Sequence, residues 1–295
     1  MTAPPCCALI VTYHPPASVL AEIATIRAQC ARVIVIDNAS DPAELGGLER
    51  LAAEAPDVEL IRNATNVGLA AALNQGCRLA REQGFEWILL LDQDTDAFAT
   101  MVEALHAAVL AHPHPERVGV VGSNHYDELG RLAHKPHANE PYRVVPFVIT
   151  SGSLLRLAVL DEVGPFRDDM FIDYVDIEFG FRLEKHGRES LLCMTPTMRH
   201  IWGNPRRVRI LGREIMVTNH SAFRRYFIVR NGIYVMTRYW PTFPLRCTWG
   251  IATVFINASI VIATEPQRWR KAKAMFVGFW HGLFGRLGPI PRGIG

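Results

Sequence analysis

Leu90-Leu91-Asp92-Gln93-Asp94-Thr95-Asp96 places alternate carboxylates directly after an apolar run. Acids spaced this way can converge on one hard cation, because Mg²⁺ and Mn²⁺ take carboxylate oxygens and leave room for phosphate oxygens. The D-x-D therefore suits a metal diphosphate, and a plain acidic turn is the alternative. A second cluster, Phe171-Ile172-Asp173-Tyr174-Val175-Asp176-Ile177-Glu178, sets three carboxylates among aromatic side chains. On a helix starting near Asp176 that carboxylate lies in the first turn, where free amides and the positive helix end keep it ionised. An ionised carboxylate in a partly apolar pocket is a good general base for a hydroxyl. Capping of the helix by Asp173 or Asp176 accounts for the same residues.

Both clusters need elements to position them. Ala8 to Tyr13, Val33 to Ile36 and Trp87 to Leu91 are continuous apolar runs rich in branched residues, as expected of parallel strands buried on both faces. Pro16 to Ala31, Leu45 to Ala55, Leu69 to Gln83 and Thr100 to Ala111 carry apolar residues at helical spacing, and Val58 to Ile61 is a short strand. Alternating strands and helices predict an open α/β sheet that binds ligands beyond the carboxyl ends of its strands. Further on, Val118 to Val121 and stretches of Val144 to Leu155 read as strands, and Ser123 to Glu140 as a polar loop or short edge strands. Helices are expected over Ala158 to Val163, Asp176 to His186 and Ala222 to Tyr239, with irregular basic chain over Thr197 to Ser221.

Basic and acidic residues number 31 and 29, so no overall field draws the chain to nucleic acid. The six cysteines form no C-x-x-C pair and read as reduced core thiols, and with no basic segment followed by a cleavable apolar one ahead of Ala8, secretion by a signal peptide is not expected. Leu245 to Ala263 is apolar but interrupted by Arg246, Thr248, Asn257 and Ser259, and Arg268, Arg270, Lys271, Lys273 and Trp280 follow it. An interfacial membrane anchor, a packed helical subdomain and a dimer interface all fit that pattern.

Taken in order, Val11-Thr12-Tyr13, Val35 to Ser40, Asn63 to Gly68 with Asn74 and Gly76, Leu91 to Asp94, Thr150 to Ser153 and Phe171 to Glu178 resemble the family 2 inverting glycosyltransferases. Leu-Asp-Gln-Asp and Phe-Ile-Asp-Tyr-Val-Asp-Ile-Glu are similar to the rhamnosyltransferase branch, and the resemblance runs from about Ala8 to Tyr239. It implies a glycosyltransferase A-type fold: a Rossmann-like, mostly parallel sheet flanked by helices, with a C-terminal helical extension. The catalytic domain would span 1–240, with a nucleotide-sugar half at 1–115 and an acceptor half at 116–240, and the extension 241–295. The implied donor contacts are Thr12, Tyr13, Asp37 for the base, Asn66, Gly68, Asp92, Gln93 and Arg230. Asp94 is the implied ligand of a divalent metal, Mg²⁺ or Mn²⁺, with His200 as a second ligand or an ordinary structural histidine. Asp176 matches the catalytic base, and Asp173 is an additional carboxylate that competes for the role. Ser151, Gly152, Tyr174 and Trp202 would meet the acceptor, although Tyr174 and Trp202 suit packing as well.

The resemblance implies dTDP-L-rhamnose as donor, with a UDP-sugar such as galactofuranose as runner-up. The acceptor would be a lipid-linked or O-antigen-like glycan at the cytoplasmic face of the inner membrane, and the protein cytoplasmic, peripheral there and open to homo-oligomerisation. Other classes fit less well. A dinucleotide oxidoreductase would carry G-x-G-x-x-G after the first strand and a P-loop enzyme G-x-x-x-x-G-K-[ST]; neither occurs. A nucleotidyltransferase would carry a glycine-rich basic loop where Thr12-Tyr13-His14-Pro15-Pro16 stands. An inactive scaffold of the same fold would not need Asp92, Asp94 and Asp176 together.

Overall fold

A computed structural model describes residues 5–137, 139–200, 206–210 and 213–290 of the chain. Two compact units emerge, one comprising 1–166 with 179–200 and the other 167–178 with 201–295.

The first unit contains β1 (Cys6–Thr12), α1 (Val19–Arg27), β2 (Arg32–Asp37), α2 (Pro42–Glu54), β3 (Val58–Arg62), α3 (Leu69–Glu82), β4 (Trp87–Asp92), β5 (Asp96–Ala97), α4 (Met101–Leu110), β6 (Val118–Tyr126), β7 (Tyr142–Val145), β8 (Ser153–Arg156) and α5 (Val159–Val163). Helix α6 (Val175–Lys185) begins in the second unit and ends in the first, and β9 (Glu189–Arg199) follows. The sheet order is β3-β2-β1-β4-β8-β6-β9-β5, with β7 also on β9. The β3-β2-β1-β4 half is parallel, and β8 lies antiparallel between β4 and β6. Every residue of β1 is buried, which is why the strand reads as an unbroken apolar run and not as an alternating one.

Two expectations need correction. The strand that begins at Val118 continues through Ser123-Asn124-His125-Tyr126 as part of the main sheet, where a polar loop or short edge strands were expected. Its polar side chains are tolerated because buried Asn124 donates to the His134 and Met194 carbonyls at 2.7 and 3.2 Å and accepts from the His134 amide at 3.1 Å. The stretch after Thr197 is likewise partly regular: β9 runs to Arg199, and β10 (Arg206–Ile210) and β11 (Arg213–Val217) form an antiparallel pair.

Helix α3 lies directly on the sheet. Ala70, Leu73, Cys77 and Ala80 are buried along one face, and a Cβ on Gly76 would come 2.3 Å from a methyl of Leu9, itself wholly buried in β1. With no space for Leu9 to yield, Gly76→Ala is expected to cost about 1–3 kcal/mol by overpacking, measured as a lower urea midpoint with an unchanged m-value.

The second unit holds the β10–β11 ribbon with α7 (Ala222–Tyr239), α8 (Pro244–Thr264) and α9 (Arg268–Leu283). Ser221 caps α7 by accepting from the Arg224 amide at 3.3 Å. Helices α7 and α9 approach closely enough that a Cβ on Gly282 would meet the Arg230 carbonyl oxygen at 2.2 Å. Where α8 ends, Glu265 is fully buried and takes ion pairs from Arg225 and, at 2.8 Å, from Lys271.

Candidate active site

In the first unit the expected donor residues gather at the carboxyl ends of β1, β2 and β4. Asp37 ends β2 and is almost wholly buried. Its Oδ1 accepts from Thr12 at 3.0 Å and from the Ser40 hydroxyl at 2.5 Å, and its Oδ2 accepts from the Ser40 amide at 2.9 Å. These contacts fix the carboxylate rather than leaving it to swing. Asn38 extends the network: its amide donates to the Gly68 carbonyl at 3.1 Å, and its Oδ1 accepts from Asn63 at 3.0 Å. Asn66 Oδ1 accepts from the Gly68 amide at 2.9 Å, and Gly68 precedes α3 with φ 88°, a conformation that glycine adopts without strain. Exposed Tyr13 is held through its backbone, its N–H donating to Gln93 Oε1 at 2.7 Å and its carbonyl accepting from Gln93 Nε2 at 3.1 Å.

Asp92 sits at the end of β4, opposite Val11 of β1, and Asp94 is exposed in the turn beyond. Glu22 of α1 faces this turn. Burial, and then the charges of Asp94 and Asp96, push its carboxyl up to about 7. A carboxylate cluster that raises the proton affinity of a neighbour is a region of negative potential lined by hard oxygen ligands, which fits a divalent cation. His200 follows Arg199, which pairs with Asp96 across β5 and β9. It is buried, its amide donates to the Tyr126 carbonyl at 3.0 Å, and its ring stands edge-on to His125 at 5.7 Å. Among the described residues, the three ligand-type side chains whose atoms lie within 4.8 Å of one another are His14, Asp41 and Glu44, all exposed, not Asp94 and His200. Ser151 shares a 2.6 Å hydrogen bond with Thr95, and the Gly152 amide donates to the Leu90 carbonyl at 2.8 Å, so this segment is pinned beside the D-x-D strand.

In the second unit the carboxylate segment is strained and tightly held. Phe171, Asp173 and Tyr174 all have positive φ, 66°, 63° and 65°, at roughly 1–2 kcal/mol each for a residue with a Cβ. Fully buried Asn231 of α7 offsets this by donating to the Met170, Ile172 and Asp173 carbonyls at 2.9, 2.8 and 2.9 Å. Asp173 is ion-paired with Arg224 at 3.1 Å; burial raises its proton affinity and Arg224 opposes the rise. Asp176 accepts from the Ile177 amide at 2.8 Å, and burial lifts its carboxyl to about 6, with the charge of Asp173 adding to the rise.

Two expected contacts take other positions. Arg230 is fully buried, its Nε donating to Asn231 and its terminal nitrogens to the carbonyls of Met170, Asp169 and Gly288. Those bonds occupy the fork that was expected to hold a diphosphate, so Arg230 supports the carboxylate loop instead. The Tyr174 ring lies over Gly232 within an apolar cluster of Val229, Ile233 and Val254, and burial pushes its hydroxyl up to about 12. That is the packing role. Trp202 lies outside the described residues. Glu22 and Asn231 were not anticipated; Asn38, Ser40 and Asn63 fall within the matched motifs, but no role was assigned to them.

Solved structures with this architecture define the class. GalNAc-T7 with UDP, GalNAc and Mn²⁺ superposes with a TM-score of 0.60 at 15% identity, over 81% of this chain and 49% of that one. This chain therefore spans about half the length of GalNAc-T7. The mannosyltransferase PcManGT from Pyrobaculum calidifontis, with GDP-Man and Mn²⁺, gives 0.61 at 14% identity over 97% of this chain and 88% of that one. The fold is the glycosyltransferase A type, a mixed sheet with helices on its faces and C-terminal helices after it. Residues 7–164, just over half of the chain, match Glycosyl transferase family 2, and the protein belongs to that family. It is also 28% identical to dTDP-rhamnosyl transferase RfbF of Shigella flexneri, over 95% of this chain and 96% of that protein.

Proposed function

We propose that the protein transfers L-rhamnose from dTDP-L-rhamnose to a hydroxyl of a lipid-linked or cell-surface glycan, with inversion at the anomeric carbon. The observation that carries the donor is the likeness to dTDP-rhamnosyl transferase RfbF, which extends along nearly the whole of both chains. Asp37 keeps a lone pair for the N–H of the pyrimidine, while Thr12 and Tyr13 flank the base and the Asn66–Gly68 turn lets main chain approach the nucleotide. Asp92 faces ribose and sugar. Asp94 would hold Mg²⁺ or Mn²⁺, with His200 as a second ligand or a structural histidine, and the metal would supply positive charge to offset that of the departing diphosphate. Ser151 and Gly152 line the acceptor side.

Asp176 takes the acceptor proton as the acceptor oxygen bonds to the anomeric carbon. The bond from that carbon to the phosphate oxygen breaks on the opposite face, and the nucleoside diphosphate leaves with the electron pair. Asp173, neutralised by Arg224, positions the loop instead of competing for the proton. The catalytic machinery draws on residues 1–240, of which 201–240 fold in one unit with 241–295, and a lipid-linked acceptor would put the reaction at the cytoplasmic face of the inner membrane.

Calorimetric titration with dTDP-L-rhamnose, UDP-sugars and free nucleotides, with and without Mn²⁺ or Mg²⁺, tests this reading. Metal-dependent binding of the dTDP ligand is expected, weakened at least about 100-fold by Asp94→Ala, as for loss of a charge-bearing ligand. Preference for a UDP-sugar would reassign the donor. Absence of any nucleotide-sugar binding by folded protein would replace the enzyme with a scaffold.

A further inference from the structure

The outer face of α8 and α9 has no task in the reaction. On α8, Leu245, Trp249, Phe255, Ile256 and Ile262 are exposed, Leu245 by 88% and Trp249 by 71%, while Cys247, Val254 and Val261 are buried on the opposite side. On α9, Trp269, Lys273, Phe276 and Trp280 follow one another down an exposed stripe at helical spacing, backed by buried Lys271, Ala274, Met275 and Gly278. The two faces are continuous. Phe255 lies 5.8 Å from Phe279, Phe279 lies 5.3 Å from Trp280, and Trp280 stacks on Phe284 at 5.8 Å. A contiguous apolar surface of this kind marks an interaction site.

Its charge identifies the partner. Between residues 241 and 290 the one acidic residue is Glu265, and it is sealed in its ion pairs with Arg225 and Lys271. Arg268, Arg270 and Lys273 project into solvent beside the aromatic stripe. A second copy of the chain would present the same cations, which disfavours a self-contact there. A bilayer with anionic headgroups presents apolar tails to the Leu and Phe side chains, a polar interface to the Trp rings, and negative charge to the cations. Helix α8 is long and apolar enough to cross a membrane. Its inner face, however, is locked into a cluster with Val229 and Ile233 of α7 and Met275 of α9, so crossing would dismantle that core.

We infer that the α8–α9 face docks the protein on an anionic lipid bilayer, with α8 lying in the plane of the interface. The inference is independent of the donor assigned above, because its readout is lipid binding and not transfer.

Flotation of the full chain with phosphatidylcholine vesicles, with and without 30% phosphatidylglycerol, tests it. Wild-type protein is expected to float with the anionic vesicles and to be released by high salt. Arg268→Gln/Arg270→Gln/Lys273→Gln should weaken binding about 100-fold, at roughly a factor of five per cation. Trp249→Ser/Trp269→Ser should lose binding at every salt concentration, and because all of these side chains are exposed the melting temperature should not fall. On wild type, brominated lipid should quench tryptophan fluorescence. Protein that stays with the buffer, lipid binding unchanged in both variants, or a dimer that Trp249→Ser/Trp269→Ser converts to monomer without any lipid binding would each overturn the inference.

Discussion

Asp176→Asn is expected to lower kcat by about 10³-fold or more while leaving donor binding intact, and to make the protein more stable at pH 8. The first effect follows from removing the proposed proton acceptor while keeping the shape; general-base removal typically costs 10²–10⁴-fold. The second follows from the sign of the shift. Burial raises the folded-state affinity of Asp176 for its proton, to about 6 from an ordinary value near 3.8. Its favourable contribution is therefore present in full below about pH 4 and lost as the pH climbs through 6, where the folded protein must hold a desolvated charge. An amide carries no such charge, so the variant should gain on the order of 2 kcal/mol at pH 8, after allowance for partial exposure, and nothing at pH 3.5. In wild type the same group should set an acid limb in kcat/KM near pH 6. Urea unfolding at the two pH values, with a pH–rate profile, checks both halves. An active Asp176→Asn variant, or an acid limb near pH 6 that Asp173→Asn abolishes, would remove Asp176 from the chemistry.

Asn231→Ala should cost about 3 kcal/mol of stability and at least about 100-fold in kcat, with little change in affinity for the donor. The amide of Asn231 serves three carbonyls of a loop in which Phe171, Asp173 and Tyr174 all have left-handed backbone. Alanine removes the amide donor from the Ile172 and Asp173 carbonyls and the acceptor of Arg230 Nε, while the Met170 carbonyl keeps Arg230, at roughly 1–3 kcal/mol for each group left unsatisfied. The strain then has less to oppose it, and the loop relaxes away from the conformation that presents Asp176. A merely structural role would lower stability yet leave the kcat of the remaining folded protein unchanged. Measuring kcat per folded molecule at low temperature, beside calorimetry with the donor, separates the two. Asn231→Asp is the stricter companion, since a carboxylate would face the same carbonyls with no proton to donate.

What the sequence disclosed depended on whether a residue's partners were local. The strands β1, β2 and β4 and the amphipathic α3 were legible because their burial is written in their own run of residues. Asp37 and Asp92 were legible because they end such strands. The continuation of β6 through Asn124 was not, since the partner that makes a polar strand residue tolerable, the His134 and Met194 main chain, lies 10 and 70 positions away. The β10–β11 ribbon was hidden by its arginines. Arg230 was misread for a related cause: a basic residue in an aromatic helix looks the same whether it faces phosphate or a set of carbonyls about 60 residues distant. Glu22 gave no sign at all, because a lone acid on a surface helix has meaning only once the turn of Asp94 and Asp96 is placed against it.

The Glu265 triad has a consequence for biosynthesis. Arg225 leaves the ribosome 40 residues ahead of the carboxylate that neutralises it. Until Glu265 follows, the fully formed α7 cannot bury that guanidinium without leaving its charge uncompensated, a penalty of several kcal/mol. Helix α7 must therefore wait, solvated, for the turn between α8 and α9 to emerge. Burial of Arg225 is thereby tied to the arrival of a residue well after α7 itself is complete.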